Sequence, residues 1–594
     1  MKRILLTILL IALFAGPASA APVLCFSDLV NGPKTGLGDG LGSGAIVTVW
    51  GWNLGDSQGT STITIGGVTP VYIYYWKSAD GTSPGGPAQL HTYHKMQEIA
   101  FSVPASVADG AVNIQVVVSG VTSNTLSFTV AAGDIFWVGD TPGGNAPNDT
   151  TGNGSFASPW ATLGVAASKA GVGAGDIIYG YDSTEAGGIR INAKDGAENS
   201  LIAVVSYPGH MASIGYTAGY GSVTSYAVSN KPDYWVFSKL RCTTLVSGIV
   251  PFCYSRVVGN EIWDGSTTGN TPNTDCAEGS GGAITYGGDP NGYQDGIGAK
   301  IFGNYIHDWG CASTSNQHHT VYFSVRNHGS DIAPHEMAWN YFYNNHARQI
   351  SMYDEHQAWG YTSQNLWHHN VVNGQAGGFP NIGCMYADTD RDMSGGLDFY
   401  SNLIMSPGQT TTASPNCIGF WLYGDGIDPA YTVNIYNNTY YSVGDGSCSI
   451  GTSDEFGVIT VNWAGWSTPT PFAGSFNFKN NIVFDINDIQ YTGALNKAPE
   501  SNATNVWYNG GDSNPSSIPS WASGESTADP VLVSAGTNFA LQTNSPALTG
   551  GSSLIAAAFS DYGVDGSALS GVIGAVGGAQ ATTRSMGAKP GLLP

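Results

Sequence analysis

The sequence predicts an all-β protein in two parts, a small β-sandwich followed by a long solenoid of parallel strands. Three observations predict it. Helix-length amphipathic stretches are almost missing from 594 residues that include 82 glycines and 30 tyrosines. Apolar and polar residues alternate between Gly-rich turns over residues 21–131. Beyond them, a short apolar strand ends on asparagine again and again, which is the mark of a repeat architecture.

The chain opens with Met1, Lys2 and Arg3, an apolar run over 4–14, and the small-residue stretch GPASA ending at Ala20. A charged start, a short apolar run and an A-x-A site make residues 1–20 a secretory signal peptide, and the run is too short to cross a membrane. The mature chain is therefore expected to begin near Ala21 and to work as a secreted, extracellular or periplasmic protein. No other apolar segment reaches the ~20 residues of a membrane helix, so no membrane insertion is expected. Leu24, ahead of Cys25, is not the small residue that a lipid-anchor signal uses. Eight cysteines in an exported chain can pair, but spacing does not give their connectivity.

Charge narrows the partners. The formal net charge is −23 with only 20 Lys plus Arg, which argues against nucleic acid, because neutralising phosphates takes a basic surface. It also works against a polyanionic glycan unless bound cations such as Ca²⁺ screen the repulsion. Simple solubility is the alternative use of the same acidity.

Residues 21–131 read as short strands, "GAIVTVWGWNLG", "STITIGGVTPVYIYYW", "QEIAFSVP", "AVNIQVVVSG" and "NTLSFTV", at the spacing of a small sandwich. In the "TVWGWNLG" turn, the "ITIGGV" strand and the "IAFSVP" to "NTLSFTV" finish, the segment resembles the IPT/TIG immunoglobulin-like family. That resemblance implies a spacer or binding module and no chemistry.

The pattern changes at "GDIFWVGDT". Residues 148–180 carry an Asp/Gly-rich loop, "PWATL", a short Ala-rich stretch and "GDIIYG", followed by "NSLIAVVSYPGHMASI". In this order they resemble the entry of secreted right-handed parallel β-helices, with the short helix covering the open edge of the first coil. Asn260, Asn304, Asn340, Asn370, Asn402, Asn438 and Asn481 then recur at intervals of 30 to 44 residues. Asparagine suits such a turn because it tolerates left-handed backbone and can hydrogen-bond to its counterparts on adjacent coils. A propeller would need four strands per repeat, whereas one strand precedes each Asn and one follows it, which favours the solenoid. The steps "DPVLV", "NFAL" and "NSPAL" resemble the closing segment of such solenoids. The β-helix is expected over 132–578 and a disordered tail over 579–594.

Chemistry points to one region. Nine of the twelve histidines fall between His307 and His369, and the stretch 344–356, "NNHARQISMYDEH", concentrates charge in a chain that is 11% charged. Aligning the strands "HHTVYFS", "RQISMYDE", "PNIGCMYAD" and "GFWLYGD" sets Tyr322, Tyr353, Tyr386 and Tyr423 in one expected column, stepping at ~4.8 Å. Facing outward, the column and Trp421 would be a platform for sugar rings; facing inward, an aromatic ladder of the core. His319, Arg348, Asp354 and His356 lie within a few residues of it, and buried charges are costly, so a groove along the solenoid is their expected home.

In such a groove, eliminative cleavage of a uronic acid polymer would use Arg348 to hold the carboxylate, His319 or His356 as base, and Tyr322 or Tyr353 as acid. Hydrolysis would instead need a pair of carboxyl groups, for which Asp354, Asp388 and Asp425 are candidates. "DTDRDMSGGLD", residues 388–398, resembles a D-x-D-x-D calcium loop through Asp388, Asp390 and Asp392. It has Met393 at the position of the usual glycine and Phe399 in place of the closing glutamate. A solvated acidic loop is the alternative. A transition metal held by His318, His319 and His356 lacks any tight ligand spacing.

The solenoid resembles the pectate lyase-like superfamily, whose members include polysaccharide lyases, polygalacturonase-like hydrolases, phage tailspikes and non-catalytic surface proteins. The sequence lacks the catalytic signatures of the pectate lyase and polygalacturonase families, and fold does not supply function. The expected function is a secreted polysaccharide-active protein, a lyase before a hydrolase because the cluster is rich in His, Arg and Tyr. The alternative is a non-catalytic glycan-binding or structural cell-surface protein.

Overall fold

A computed structural model describes residues 21–548 except 192–193, 216–221, 226–231, 245–246, 265–280, 287–296, 310–317, 326–332, 346–347, 355–363, 374–379, 385–395, 406–416, 423–430, 442–455, 462–473, 485–497, 509–519, 536–537 and 543. The signal peptide and the tail expected over 579–594 lie outside the described residues. Within them, two N-terminal sheets of four and five strands, almost wholly antiparallel, are followed by parallel sheets of twelve, eleven and six strands. The chain is all-β, a sandwich joined to a parallel β-helix.

Each coil visits three faces. Its first strand joins the twelve-strand face, which runs from Ile135–Gly139 to Ser501–Ala503. A tight corner leads to the eleven-strand face, from Thr184–Glu185 to Val506–Tyr508, and a loop leads on to the six-strand face, from Gly281–Tyr286 to Phe456–Val461. Like residues stack inside. Phe237, Val257, Ile301, Met337, Trp367, Phe399, Ile435 and Phe478 are successive register partners on the twelve-strand face, all fully buried. Such columns let every coil bury its apolar side at the strand spacing without long-range design. The helix Leu163–Ser168, capped by the Thr162 side chain, lays Leu163, Ala166 and Ala167 over the first coil and closes that end of the core.

The asparagines form the expected ladder. Asn370, fully buried, donates from Nδ2 to the Met337 carbonyl (3.0 Å) and to Asn402 Oδ1 (3.0 Å), while its own Oδ1 accepts from the amide and the Nδ2 of Asn340. The pattern runs from Asn260 to Asn505, where Glu525 Oε1 accepts the last Nδ2 at 2.8 Å. The left-handed backbone, however, falls one residue earlier than expected, on Gly259, Gly303, Trp339, His369, Ser401, Asn437, Asn480 and Thr504. The ladder asparagines keep ordinary backbone and are chosen for their amides alone. At Gly303 the corner also needs a bare Cα, since a Cβ would lie 2.4 Å from the Phe26 ring of the sandwich.

That contact belongs to a broad junction in which the sandwich lies along the twelve-strand face. Phe26 stacks on Trp50 and on Trp339, each at 5.1 Å, within one buried cluster shared by both parts. Polar links are equally direct: Asp28 pairs with Lys239 at 3.0 Å, Arg256 donates to the carbonyls of Ser27 and Asp28, and Tyr179 Oη accepts from the Ile46 amide at 2.7 Å. Glu98 is buried here too. Its Oε2 accepts from the Gly86 amide at 3.3 Å and its Oε1 has no hydrogen-bond partner among the described residues. Burial pushes its pKa up to about 8.

Between the ordinary carboxylate value and about 8 the folded protein holds Glu98 protonated while the unfolded chain ionises it. Stability is therefore expected to be full below about pH 4.5 and to fall as pH rises to about 8. Glu98→Gln should flatten this slope and gain about 2 kcal/mol at pH 8, the amide's own burial offsetting part of the benefit. Urea unfolding at pH 5 and pH 8 checks it; a slope unchanged by the substitution would show that Glu98 is ionised in the fold.

Candidate functional site

Among the described residues, the histidines that crowd together in sequence are spread over all three faces, because one coil carries neighbouring residues around the whole section. His335, His368 and His369 are buried on the twelve-strand side. His335 Nε2 accepts from the Trp367 indole at 2.9 Å, and burial drives its pKa down to about 3. His368 Nε2 meets Glu336 Oε1 at 2.8 Å, and Lys300 meets Glu336 Oε2 at 2.9 Å. Burial alone would raise the Glu336 pKa, but Lys300 and His368 bring it down to about 2. His335 packs inside the solenoid against Phe323 and Trp367, whereas His369 meets the sandwich, with its ring 6.0 Å from Trp52 and its carbonyl 3.0 Å from the His94 ring.

On the six-strand face, His319 lies directly opposite Arg348, so the register brings two predicted residues together. The Tyr322 ring stacks on the buried His319 ring at 4.7 Å. Arg348 and Asp354 are the first and last residues of their strand. The expected alignment of Tyr322 with Tyr353 does not form. Tyr322 is opposite Ser351, and Tyr353 is opposite Ser324 and Gly383. Register is set by the core, where Ile284, Val321 and Ile350 align, and that places Tyr353 two positions past Tyr322. Trp421 is opposite Asn381 and Thr460. His356, Tyr386, Tyr423, Asp388, Asp390 and Asp392 lie outside the described residues.

The eleven-strand face carries a constellation that the sequence reading missed. Its strands start immediately after each ladder asparagine, so residues one and three past the corner alternate outward. Arg241, Glu261, Tyr305 and Tyr341 are successive register partners in one outward column, and Thr243, Trp263, His307 and Tyr343 in the next. The rings make a file across the coils. His307 stacks on Trp263 at 5.8 Å and on Tyr305 at 4.3 Å; Tyr305 stacks on Tyr341 at 5.3 Å. Tyr93, from the sandwich, meets Tyr341 edge-on at 5.4 Å, and Tyr343 stands 41% exposed beside it. Further along, the face turns apolar, and the hairpin of Leu532–Ser534 and Asn538–Leu541 joins a buried cluster with Leu403, Ile482 and Val506. The file is thus bordered by the sandwich on one side and that covered stretch on the other.

An ionic set sits in the file. His307 Nδ1 meets Asp308 Oδ2 at 2.8 Å and Nε2 meets Glu261 Oε1 at 3.3 Å, while Arg241 Nε donates to Glu261 Oε2 at 2.6 Å. Asn344 Nδ2 donates to Asp308 Oδ1 at 2.6 Å. Burial would lower the His307 pKa, but the two carboxylates raise it above the ordinary imidazole value, which favours the protonated ring. Burial would raise the Glu261 pKa, but His307 and Arg241 lower it, which keeps the carboxylate ionised. A proton donor and an acceptor are therefore held side by side on an aromatic surface, an arrangement suited to acid–base chemistry on a bound ring. Among the described residues, no group of three or more His, Cys, Asp and Glu side chains is arranged to hold a metal ion.

A signal for this set was present in the sequence: "NEIWD" and "NYIHD" place Glu261, Trp263, His307 and Asp308 at fixed offsets from Asn260 and Asn304. No protein-family model matches the chain, and no curated protein matches it in sequence.

Proposed function

We propose that this chain is an exported polysaccharide-active protein that holds a glycan along its solenoid and cleaves it, by β-elimination before hydrolysis. The observation that carries the reading is the ring file with His307 held between Glu261 and Asp308. The stacked rings present their edges outward, the exposed Tyr343 supplies a ring for the C–H face of a sugar, and the adjacent carboxylates accept from sugar hydroxyls. Elimination asks for a cation at the sugar carboxylate, a base and an acid, and Arg241, ionised Glu261 and protonated His307 fill these roles. Hydrolysis through paired carboxyl groups needs one of them protonated, and Glu261 is biased the other way. The opposed His319 and Arg348, with Tyr322 stacked on the former, support a second placing of the same chemistry on the six-strand face. Export rests on the leader at 1–20; the IPT/TIG and pectate lyase-like assignments and calcium at Asp388, Asp390 and Asp392 belong to the same proposal.

The test is release of new reducing ends from a panel of acidic and neutral polysaccharides, with and without calcium. His307→Ala should lower kcat at least about 100-fold and Trp263→Ala should mainly raise KM, both with unfolding midpoints near the parent's. Loss of turnover in His319→Ala and Arg348→Ala, with His307→Ala active, would move the chemistry to the six-strand face. No release from any polymer would leave the non-catalytic glycan-binding protein.

A further inference from the structure

We infer that the junction of the sandwich with the first coils carries a second binding surface, for a neutral glycan chain, separate from the file on the eleven-strand face. A line of rings crosses from one part to the other. Tyr72 and Tyr74 of the sandwich lie 4.9 Å apart, Tyr74 meets Tyr207 of the solenoid at 5.6 Å, Tyr207 meets Tyr181 at 5.4 Å, and Tyr181 stacks face to face on His210 at 3.5 Å. One carboxylate fixes the middle: Asp39 Oδ2 accepts from the Tyr74 hydroxyl at 2.5 Å and from the Tyr207 hydroxyl at 2.9 Å. Its Oδ1 accepts from the amides of Leu41 and Gly42, which fixes the loop that presents Leu41.

The ends of the line are open. Leu41 and Tyr72 are two of the few exposed large apolar side chains among the described residues, and both are tied to this line, Tyr72 through its contact with Tyr74 and Leu41 through the Asp39 loop. At the other end, Tyr181 and His210 are partly exposed, with Asp182 accepting from His210 Nδ1 at 2.7 Å and from the Met211 amide at 3.1 Å. A surface of rings held by a half-buried hydrogen-bond network is costly to leave in water and gains from stacking a ring with apolar faces.

The charges choose the ligand. Asp39 and Asp182 take part directly, and Asp140 acts with Asp182 on the Tyr181 hydroxyl. No ion pair among the described residues brings a Lys or Arg to these carboxylates. Carboxylates accept from sugar hydroxyls and repel anionic groups, so the surface suits a neutral chain and not a polyuronate.

The test is affinity electrophoresis of the whole mature chain in native gels containing xyloglucan, mixed-linkage β-glucan or glucomannan, with alginate as the acidic comparison. At least one neutral polymer should retard the protein, and Tyr72→Ala with Tyr181→Ala should weaken that Kd at least about fivefold. Tyr72→Ser alone, at an exposed ring, gives the same direction without touching the packed centre. Trp263→Ala should leave the neutral retardation unchanged and act on alginate instead, so the two surfaces fail separately. Absence of retardation by every neutral polymer, or equal retardation of parent and both Tyr72 variants, would overturn the inference.

Discussion

Asn370→Ala should destabilise the protein by on the order of 4 kcal/mol, far more than a surface substitution. The side chain makes four hydrogen bonds with no access to water, two through Nδ2 and two through Oδ1. Alanine removes all four in a dry corner: the Asn340 amide and the Met337 carbonyl lose their Asn370 side-chain partner, Asn340 Nδ2 keeps only the Ile301 carbonyl, and Asn402 Oδ1 keeps only the Asn370 backbone amide. Each bond contributes about 1 kcal/mol net, and each stranded group adds a desolvation cost that relaxation only partly relieves. Asn434→Ala is the control. Asn434 belongs to a half-buried outward pair with Asp398 and Asn477, where water can replace the lost amide, so its cost should stay under about 1 kcal/mol. Urea unfolding of both variants decides; equal costs would show that the buried ladder does not act as a connected network.

Lys239→Ala should cost about 3–5 kcal/mol. The Lys239 ammonium and the Asp28 carboxylate lie 3.0 Å apart with side chains 3% and 0% exposed, and Lys239 Nζ also donates to Thr48 Oγ1 at 2.6 Å. Removing the cation leaves the buried Asp28 carboxylate with the amides of Leu29 and Thr48 and the Ser238 hydroxyl as its donors and no opposite charge paired with it. The pair itself is worth much less than this figure, because both ions were desolvated to form it. The double variant Lys239→Met with Asp28→Asn should therefore recover most of the loss. A cycle of the four proteins, followed by tryptophan fluorescence in urea, reads the coupling directly. Recovery absent from the double variant would assign the cost to packing of the lysine stem instead.

The fold was legible because its rule is local. A ladder asparagine must appear once per coil, so the repeat shows in sequence even though the intervals vary with the loops. The residue before it was misread, since left-handed backbone there is borne by Gly259, Trp339, His369 and Thr504 alike, and no single residue type marks it. The tyrosine alignment failed because register follows what points inward. Val321 and Ile350 outweigh any matching of Tyr322 with Tyr353. The eleven-strand constellation was within reach, since Glu261 and His307 sit one and three places after ladder asparagines; the density of histidines further on drew the reading elsewhere. Docking of the sandwich was beyond it. Asp28 and Lys239 are joined only by the folded path of the chain between them, and nothing local to either residue announces a partner.

The ladder also has a direction. Each ladder amide gives one Nδ2 hydrogen to the next asparagine in the C-terminal sense, from Asn260 through Asn481 to Asn505, and the other back to a carbonyl of the preceding coil. A one-way chain of donors cannot close on itself, and its final member needs a group that only accepts. Glu525 is that group, taking Asn505 Nδ2 on one oxygen and the Trp507 indole on the other. The solenoid is therefore punctuated as well as repeated. Each coil makes the same hand-off to the next, and the carboxylate marks the last member of the row.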